Sequence, residues 1–554
     1  MIAAGPSSQP PPGASDVESA PNAATSRPSS DVESARSTET KPARTSGGAA
    51  MVAAGILLSR LAGLVRQRVI AHYFGLSVLA DVIAAAFRIG NVTQYLLGEG
   101  ALSASFIPVY AKLRAEGRPR EAATFALAAL GALLVGVAAV SAIGVAAAPW
   151  LSRAIVPGFS EEALAQTTRL TRVLFPMTGL VILSAWGLGV LNAHRRFFVP
   201  YAAPVVWSAA QIVALVVLGS TLGVRGEPLA MGLAVAALAG AALQALVMLP
   251  AARRIFGSVR PRLDRRDPNL REAIRRLPGA IVSRGVIQIA GLVDAALVSL
   301  TGPGAQAAFQ YTQTLYLLPL SLLGAGEAAA LLPAMAGDTA EEDRARRIDR
   351  LRTRLGGAMT RVAVLAIPST AALAFLGNEL LRVLLQTGSF DAAATVRVQR
   401  LLAAYAFALL GNAWGRVLTA ASHALGDTRT PARYGVYRVL AGGAAAVLLM
   451  QRFGAMGVVL GSVVAAWVET FALGRKLRRD LGGLGVSARI VLVSLVITTL
   501  ALASAAILRH VMPASFAASV AGALLVLAVF GAVYLGLATT VRVLDWRAIL
   551  RRRR

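Results

Sequence analysis

Fourteen apolar runs, each long enough to cross a bilayer, follow one another from residue 50 to residue 541. A stretch of roughly 17–25 apolar residues can satisfy its backbone in lipid as a helix, and in almost no other way. The runs lie near 50–74, 78–110, 122–147, 163–193, 199–220, 228–251, 277–300, 304–335, 355–377, 395–421, 431–451, 455–474, 487–508 and 514–541. The second, fourth and eighth exceed one span and are expected to tilt or bend, with Gly90, Gly98 and Gly100 as weak points in the second. The expected fold is therefore an all-α polytopic membrane protein of about fourteen transmembrane helices.

The gaps between the runs alternate in charge. Those at 112–120, 195–196, 253–276, 344–354, 429–438, 475–489 and 542–554 are basic. Those at 75–77, 148–162, 221–227, 301–303, 452–454 and 509–513 carry few positive charges, and 378–394 is mixed. Positively charged loops stay inside, so the alternation places both termini in the cytoplasm and supports an even number of spans. It also explains the net charge of +27 without nucleic acid, because the basic residues sit in short loops. The stretch 253–276 has nine arginines against three acids and reads as a linker lying on anionic headgroups. The mixed gap begins with a segment that suits a short interfacial helix.

Residues 1–48 hold no apolar run and are rich in Pro, Ser, Ala and Thr, as expected of a disordered cytoplasmic tail; translation from Met51 would remove it. The chain has no cysteine, which excludes disulfides and thiolate metal sites, and its four histidines show no metal-ligand spacing. No DDxxD motif and no His–acid cluster is present, so the chain reads as a transporter, not an enzyme. No cofactor is expected, while membrane potential, Na+ or H+ remain candidates for coupling.

Three landmarks recur in order. Ser59-Arg60 returns as Ser283-Arg284, Glu99 as Glu327, and the turn from Ala193 to Pro200 as Ala424 to Pro431, at offsets of 224, 228 and 231. They divide the chain into an N-lobe (50–253, six spans), a basic linker (254–276), a C-lobe (277–476, six spans), two extra spans (487–541) and a basic tail (542–554). Pseudo-symmetric lobes with a site at their interface are a common transporter plan.

Charged residues inside the runs carry the functional signal. Arg60 and Arg66 both lie in the first run, and a guanidinium near mid-bilayer costs roughly 2.5–3.5 kcal/mol on insertion scales. They either neutralise carboxylates on other helices or line a water-filled path for an anion. In the second run Asp81, Arg88, Tyr95 and Glu99 share one helical stripe at about 100° per residue, with Asn91 beside it. Arg66–Asp81 and Arg60–Glu99 are the expected pairs, the first an outer gate. Further candidates are Arg284 and Asp294 in the seventh run, then Gln310, Gln313 and Glu327 in the eighth. Arg284 and Asp294 lie about 15 Å apart along a helix and on different faces. Asp294 is a candidate cation or proton site. Arg60, Arg66, Arg88 and Arg284 together suit a pyrophosphate, which guanidinium forks bind well.

The stretches LLSRLAGLVRQRVIAHYFG (57–75), ADVIAAAF (80–87) and EGALSASFIPVYAKL (99–113) resemble the start of the MurJ (MviN) lipid II flippases. APWL (148–151), VPGF (156–159), LNAHRRFFVPYAAP (191–204), TGSFD (387–391) and GDTRTP (426–431) extend the resemblance to about residues 50–541. It implies a fourteen-helix member of the multidrug/oligosaccharidyl-lipid/polysaccharide exporter superfamily, serving peptidoglycan synthesis, cell-wall biogenesis and cell shape. The cargo it implies is an undecaprenyl-pyrophosphate-linked saccharide, moved outward by alternating access, with membrane lipids as the other partner and a monomer as the working unit. Ser59, Arg60, Arg66, Asp81 and Glu99 fall on the family's cavity and gate positions, and Arg88 on a basic one. Gln94, and Gln313 with Thr314, stand where the family has arginine or an acid–base pair. Arg284 is then expected to face the cavity and complete the anion site. Of the family's sodium site only Asp294 is matched. The departures keep a second reading open, export of another polyprenyl-pyrophosphate-linked glycan; a drug or cation antiporter fits less well, because the intramembrane charge is positive.

Overall fold

The computed structural model describes residues 46–96, 101–264, 266–336, 344–541 and 543. Helix is the rule wherever the sequence is apolar. The first eight helices are α1 (Ser46–Phe74), α2 (Val78–Gln94), α3 (Ala101–Ala115), α4 (Pro119–Ile155), α5 (Glu161–Ala193), α6 (Phe198–Ala202), α7 (Pro204–Val216) and α8 (Gly226–Phe256). Next come α9 (Pro268–Ser299), α10 (Ala305–Ala336), α11 (Arg344–Phe375), α12 (Gly377–Leu384), α13 (Ala392–Ala406), α14 (Ala408–Ala424), α15 (Arg429–Phe453) and α16 (Ala455–Leu481). The chain ends with α17 (Ala488–Val511), α18 (Ala514–Ala517) and α19 (Val520–Thr540).

Among the described residues nine helices are long and apolar enough to cross a membrane. α1 and α2 fall outside that set, and both carry charges that lower their hydropathy, Arg60, Arg66 and Arg68 in one, Asp81 and Arg88 in the other. In the over-long second run α2 ends at Gln94 and α3 starts at Ala101, with residues 97–100 between them outside the described residues. α5 runs unbroken through Pro176, and α10 is a single helix of 32 residues. α6 and α7 are parted only at Ala203, ahead of Pro204, which has no N–H to continue the helix ladder, and α13 and α14 only at Phe407; both residues keep helical dihedrals, so each pair forms one span. Hydroxyl and carboxylate caps start several helices: Ser77 accepts from the Ala80 amide, Ser160 from Ala163, Asp267 from Asn269 and Leu270, and Asp391 from Ala394.

Packing joins α1, α2, α4, α5, α7 and α8 to one another, and α10, α11, α13, α14, α15 and α16 likewise. α9 touches both sets, packing on α3 and α4 and also on α15 and α16. α15 and α16 approach closest: a Cβ on Gly461 would lie 2.6 Å from that of Ala446, so only a hydrogen fits there. α17 and α19 pack together and lean on α11 and α12. The short α12 in the mixed 378–394 gap is amphipathic, with Leu381 buried and Arg382 near its end.

Candidate functional site

Several of the poorly charged gaps meet on one side of the molecule. The Gly158 amide donates to Ser299 Oγ at 3.1 Å, joining the α4–α5 gap to the end of α9. The end of α1 is held by the loop after α12: Ser389 N donates to the His72 carbonyl at 2.8 Å, and His72 Nδ1 lies 3.0 Å from Thr387 Oγ1. Arg68 donates to the Val383 carbonyl. Gly388 makes this approach possible, with φ of 55° and room for no side chain, since a Cβ would stand 2.5 Å from the His72 carbonyl oxygen.

Asp81 is central to this closure, but not through Arg66. Its carboxylate, 3% exposed, accepts the Gly304 amide at 2.5 Å and the Ala307 amide at 2.8 Å. It thus caps the start of α10 from another helix, where unpaired amides and the helix dipole favour a negative charge. The Arg397 guanidinium donates to Pro303 O at 2.7 Å beside it. The expected Arg66–Asp81 pair is therefore corrected: the helix start outcompetes a side-chain cation for this carboxylate.

Arg66 instead stacks on Trp207 of α7, with Cζ 4.4 Å from the ring centroid. Its Nε and Nη1 are buried and have no hydrogen-bond partner among the described residues. Arg66 lines a cavity of about 50 Å³ whose polar wall also includes Gln67, Asn91, Gln211, Gln310 and Tyr311, with Trp207. Gln211, fully buried, donates to the Trp207 carbonyl at 3.1 Å and leaves its own Oε1 unpartnered. The cavity is bounded by α1, α2, α7 and α10, hence by helices from both packing groups.

Arg88 behaves differently. Its guanidinium crosses from α2 and donates to Gln313 Oε1 at 2.5 Å, Gly291 O at 3.2 Å and Gln310 Oε1 at 3.5 Å. In this state it is a strut between α2, α9 and α10, with protein acceptors in place of a ligand. Asp294 accepts from Ser462 Oγ at 3.1 Å, tying α9 to α16. Asn91 joins Arg66 at the cavity, whereas Gln94 lines a different one. Arg60 is exposed and Ser59 half-buried; neither lines the Arg66 cavity. Glu99 lies outside the described residues, as do the side chains of Arg284 and Glu327, so the Arg60–Glu99 pair and the placement of Arg284 in the anion site lie there too.

Sequence reasoning missed Trp207, whose signal was a glutamine four residues on, Gln211, in an otherwise apolar run. It also missed the Arg438–Glu469 ion pair of 2.6 Å between α15 and α16. At the opposite end of α5, His194 Nε2 and Tyr110 Oη share a hydrogen bond of 2.9 Å. Burial, with Arg114 and Arg196 nearby, holds the His194 pKa below its usual value.

A family model described as "Lipid II flippase MurJ" matches residues 70–531. The chain is 28% identical over 430 residues to the lipid II flippase MurJ of Burkholderia cenocepacia, covering 76% of this chain and 82% of that one. It is 30% identical to the probable lipid II flippase MurJ of Rhizobium tropici, covering 76% and 79%. Among solved structures it resembles a lipid II flippase MurJ in an inward closed conformation, with a TM-score of 0.73, 19% identity, and 90% and 99% of the two chains covered. It also resembles an inward-facing multidrug resistance MATE transporter of the MOP superfamily, with a TM-score of 0.62, 18% identity, and 76% and 94% covered.

Proposed function

We propose, from the premise that this chain belongs to the lipid II flippase MurJ family, that it carries lipid II from the inner to the outer leaflet of the bacterial inner membrane for peptidoglycan synthesis. It is a transporter and not an enzyme. The observation that carries the reading is Arg66: a guanidinium braced by an indole, with two buried nitrogens that have no acceptor among the described residues, in the wall of a cavity between helix groups. Without a ligand such a group is costly; a pyrophosphate oxygen supplies the missing acceptor.

The transport cycle we infer is alternating access between two six-helix lobes, α1–α8 and α9–α16, with α17–α19 appended and both termini cytoplasmic. In this cycle the outer gate is the side on which Asp81 holds the start of α10 and the 385–391 loop holds α1. Binding of the anionic headgroup gives Arg66 and Arg88 a new partner. Arg88 then lets go of Gln313, and the lobes separate on the outer side. Asp294, beside Ser462, is the group at which a proton or sodium ion couples to this motion, and membrane potential acts on the cationic cavity directly. The working unit is a monomer.

The test is growth rescue of cells depleted of their lipid II flippase, together with flipping of fluorescent lipid II by the purified protein in liposomes. Rescue and flipping are expected. Failure of both, with flipping of another polyprenyl-pyrophosphate glycan, moves the assignment to that cargo.

A further inference from the structure

The cavity holding Arg66 has a neighbour. A second cavity, of about 150 Å³, is lined by α2, α3, α5, α6, α7 and α8, and Trp207 is part of both walls. The two differ in kind. The first has a guanidinium in its wall, whereas no charged residue lines the second. The polar side chains of the second are Gln94, Ser184 and Gln244; the rest of its wall is aliphatic, proline or methionine, apart from Trp207. The Ser184 hydroxyl is already committed to the Leu180 carbonyl at 3.1 Å. The side-chain amides of Gln94 and Gln244 make no hydrogen bond among the described residues, although Gln244 is only 6% exposed.

Two glutamine amides in an aliphatic wall are unfavourable unless something polar meets them. Phosphate does not answer the need, because no cation is present to neutralise it. A neutral, hydroxyl-rich ring does: its C–H face packs on an indole, and its hydroxyl and acetamido groups exchange hydrogen bonds with amides. The indole here is held in place, since Trp207 Nε1 donates to the Ala237 carbonyl at 3.0 Å. In a pyrophosphate-linked glycan the first sugar is bonded directly to the phosphate, so the two subsites must adjoin. A shared tryptophan wall satisfies that requirement.

We propose that the second cavity receives the sugar of the lipid-linked substrate while Arg66 holds its pyrophosphate, with Trp207 as the surface against which the sugar packs. This deepens, and rests on, the flippase reading above.

The experiment compares binding of lipid II with binding of undecaprenyl pyrophosphate, which has the lipid and the pyrophosphate but no sugar, by ligand-induced thermal shift of the purified protein. Wild-type protein is expected to bind lipid II more tightly. Gln244→Leu and Gln94→Leu should each weaken lipid II by about five- to tenfold and leave undecaprenyl pyrophosphate within about twofold. Trp207→Leu should weaken both ligands, because it also removes the support of Arg66, and Trp207→Phe should recover part of the loss for lipid II. Equal weakening of both ligands by Gln244→Leu means that the isoprenoid chain fills the cavity and overturns the proposal. Glutamine variants that change neither ligand, with unliganded melting intact, overturn it as well. Wild-type protein that binds neither lipid overturns the flippase reading itself, and the subsite with it, a result readable before any variant is made.

Discussion

Arg66 and Arg88 are both buried guanidiniums on neighbouring helices, yet their surroundings assign them different work. Arg88 has three protein acceptors within 3.5 Å, and Arg66 has an aromatic face and no acceptor among the described residues. Arg66→Ala is expected to lower lipid II flipping by about ten- to hundredfold at normal membrane abundance. Arg66→Lys should recover little of it, since an ammonium neither stacks flat on Trp207 nor offers a fork. Loss of the protein instead of its activity would assign Arg66 a structural role. His194 allows a titration test outside the membrane. Its pKa is held below the ordinary 6.5, so the folded protein resists protonation there, and any contribution to stability is present above pH 6.5 and falls away as the pH drops below it. Histidine NMR should find the His194 midpoint below 6.5, and Arg114→Gln should raise it. At this scale the sequence was half legible. An arginine in an apolar run announces itself, whereas Trp207 looks like core until the fold brings Arg66 over it.

Elements show why partners are harder to read than positions. The second run was expected to bend near its glycines; α2 passes through Gly90 without a break, and Gly98 and Gly100 lie outside the described residues. What Asp81 binds could not be read, because the amides that begin a helix carry no side-chain label. The four atoms of this cap imply a graded outcome. Asp81→Ala should remove about 1 kcal/mol of outer closure, roughly a fivefold shift in population. External maleimide labelling of Gln310→Cys, which lines the cavity, should rise by that factor, and Asp81→Asn should fall between. The adjoining clamp permits the converse test. The chain has no native cysteine, so His72→Cys with Thr387→Cys should crosslink without background and stop flipping until reduced. Normal flipping by the crosslinked protein would show that this side does not need to open.

For the molecule above residue 45, the apolar runs and their order were legible because lipid leaves a helix few alternatives. The role of the last helices was not, since it rests on two long-range contacts. Arg509 of α17 reaches Glu379 of α12 at 3.1 Å, and Arg382 of α12 donates to Ala517 O at 2.6 Å. Glu379 is 2% exposed, so its only ion-pair partner among the described residues sets its comfort. Because α12 leads into the clamp on α1, Arg509→Ala should speed external labelling of the same Gln310→Cys reporter without touching the cavity. An unchanged rate would confine α17–α19 to support of the fold. Asp81 closes the seam on peptide N–H groups that are shielded from solvent, not on a solvent-facing cation. Mobile ions screen such a bond poorly, so labelling of the Gln310→Cys reporter is expected to change little between low and high salt.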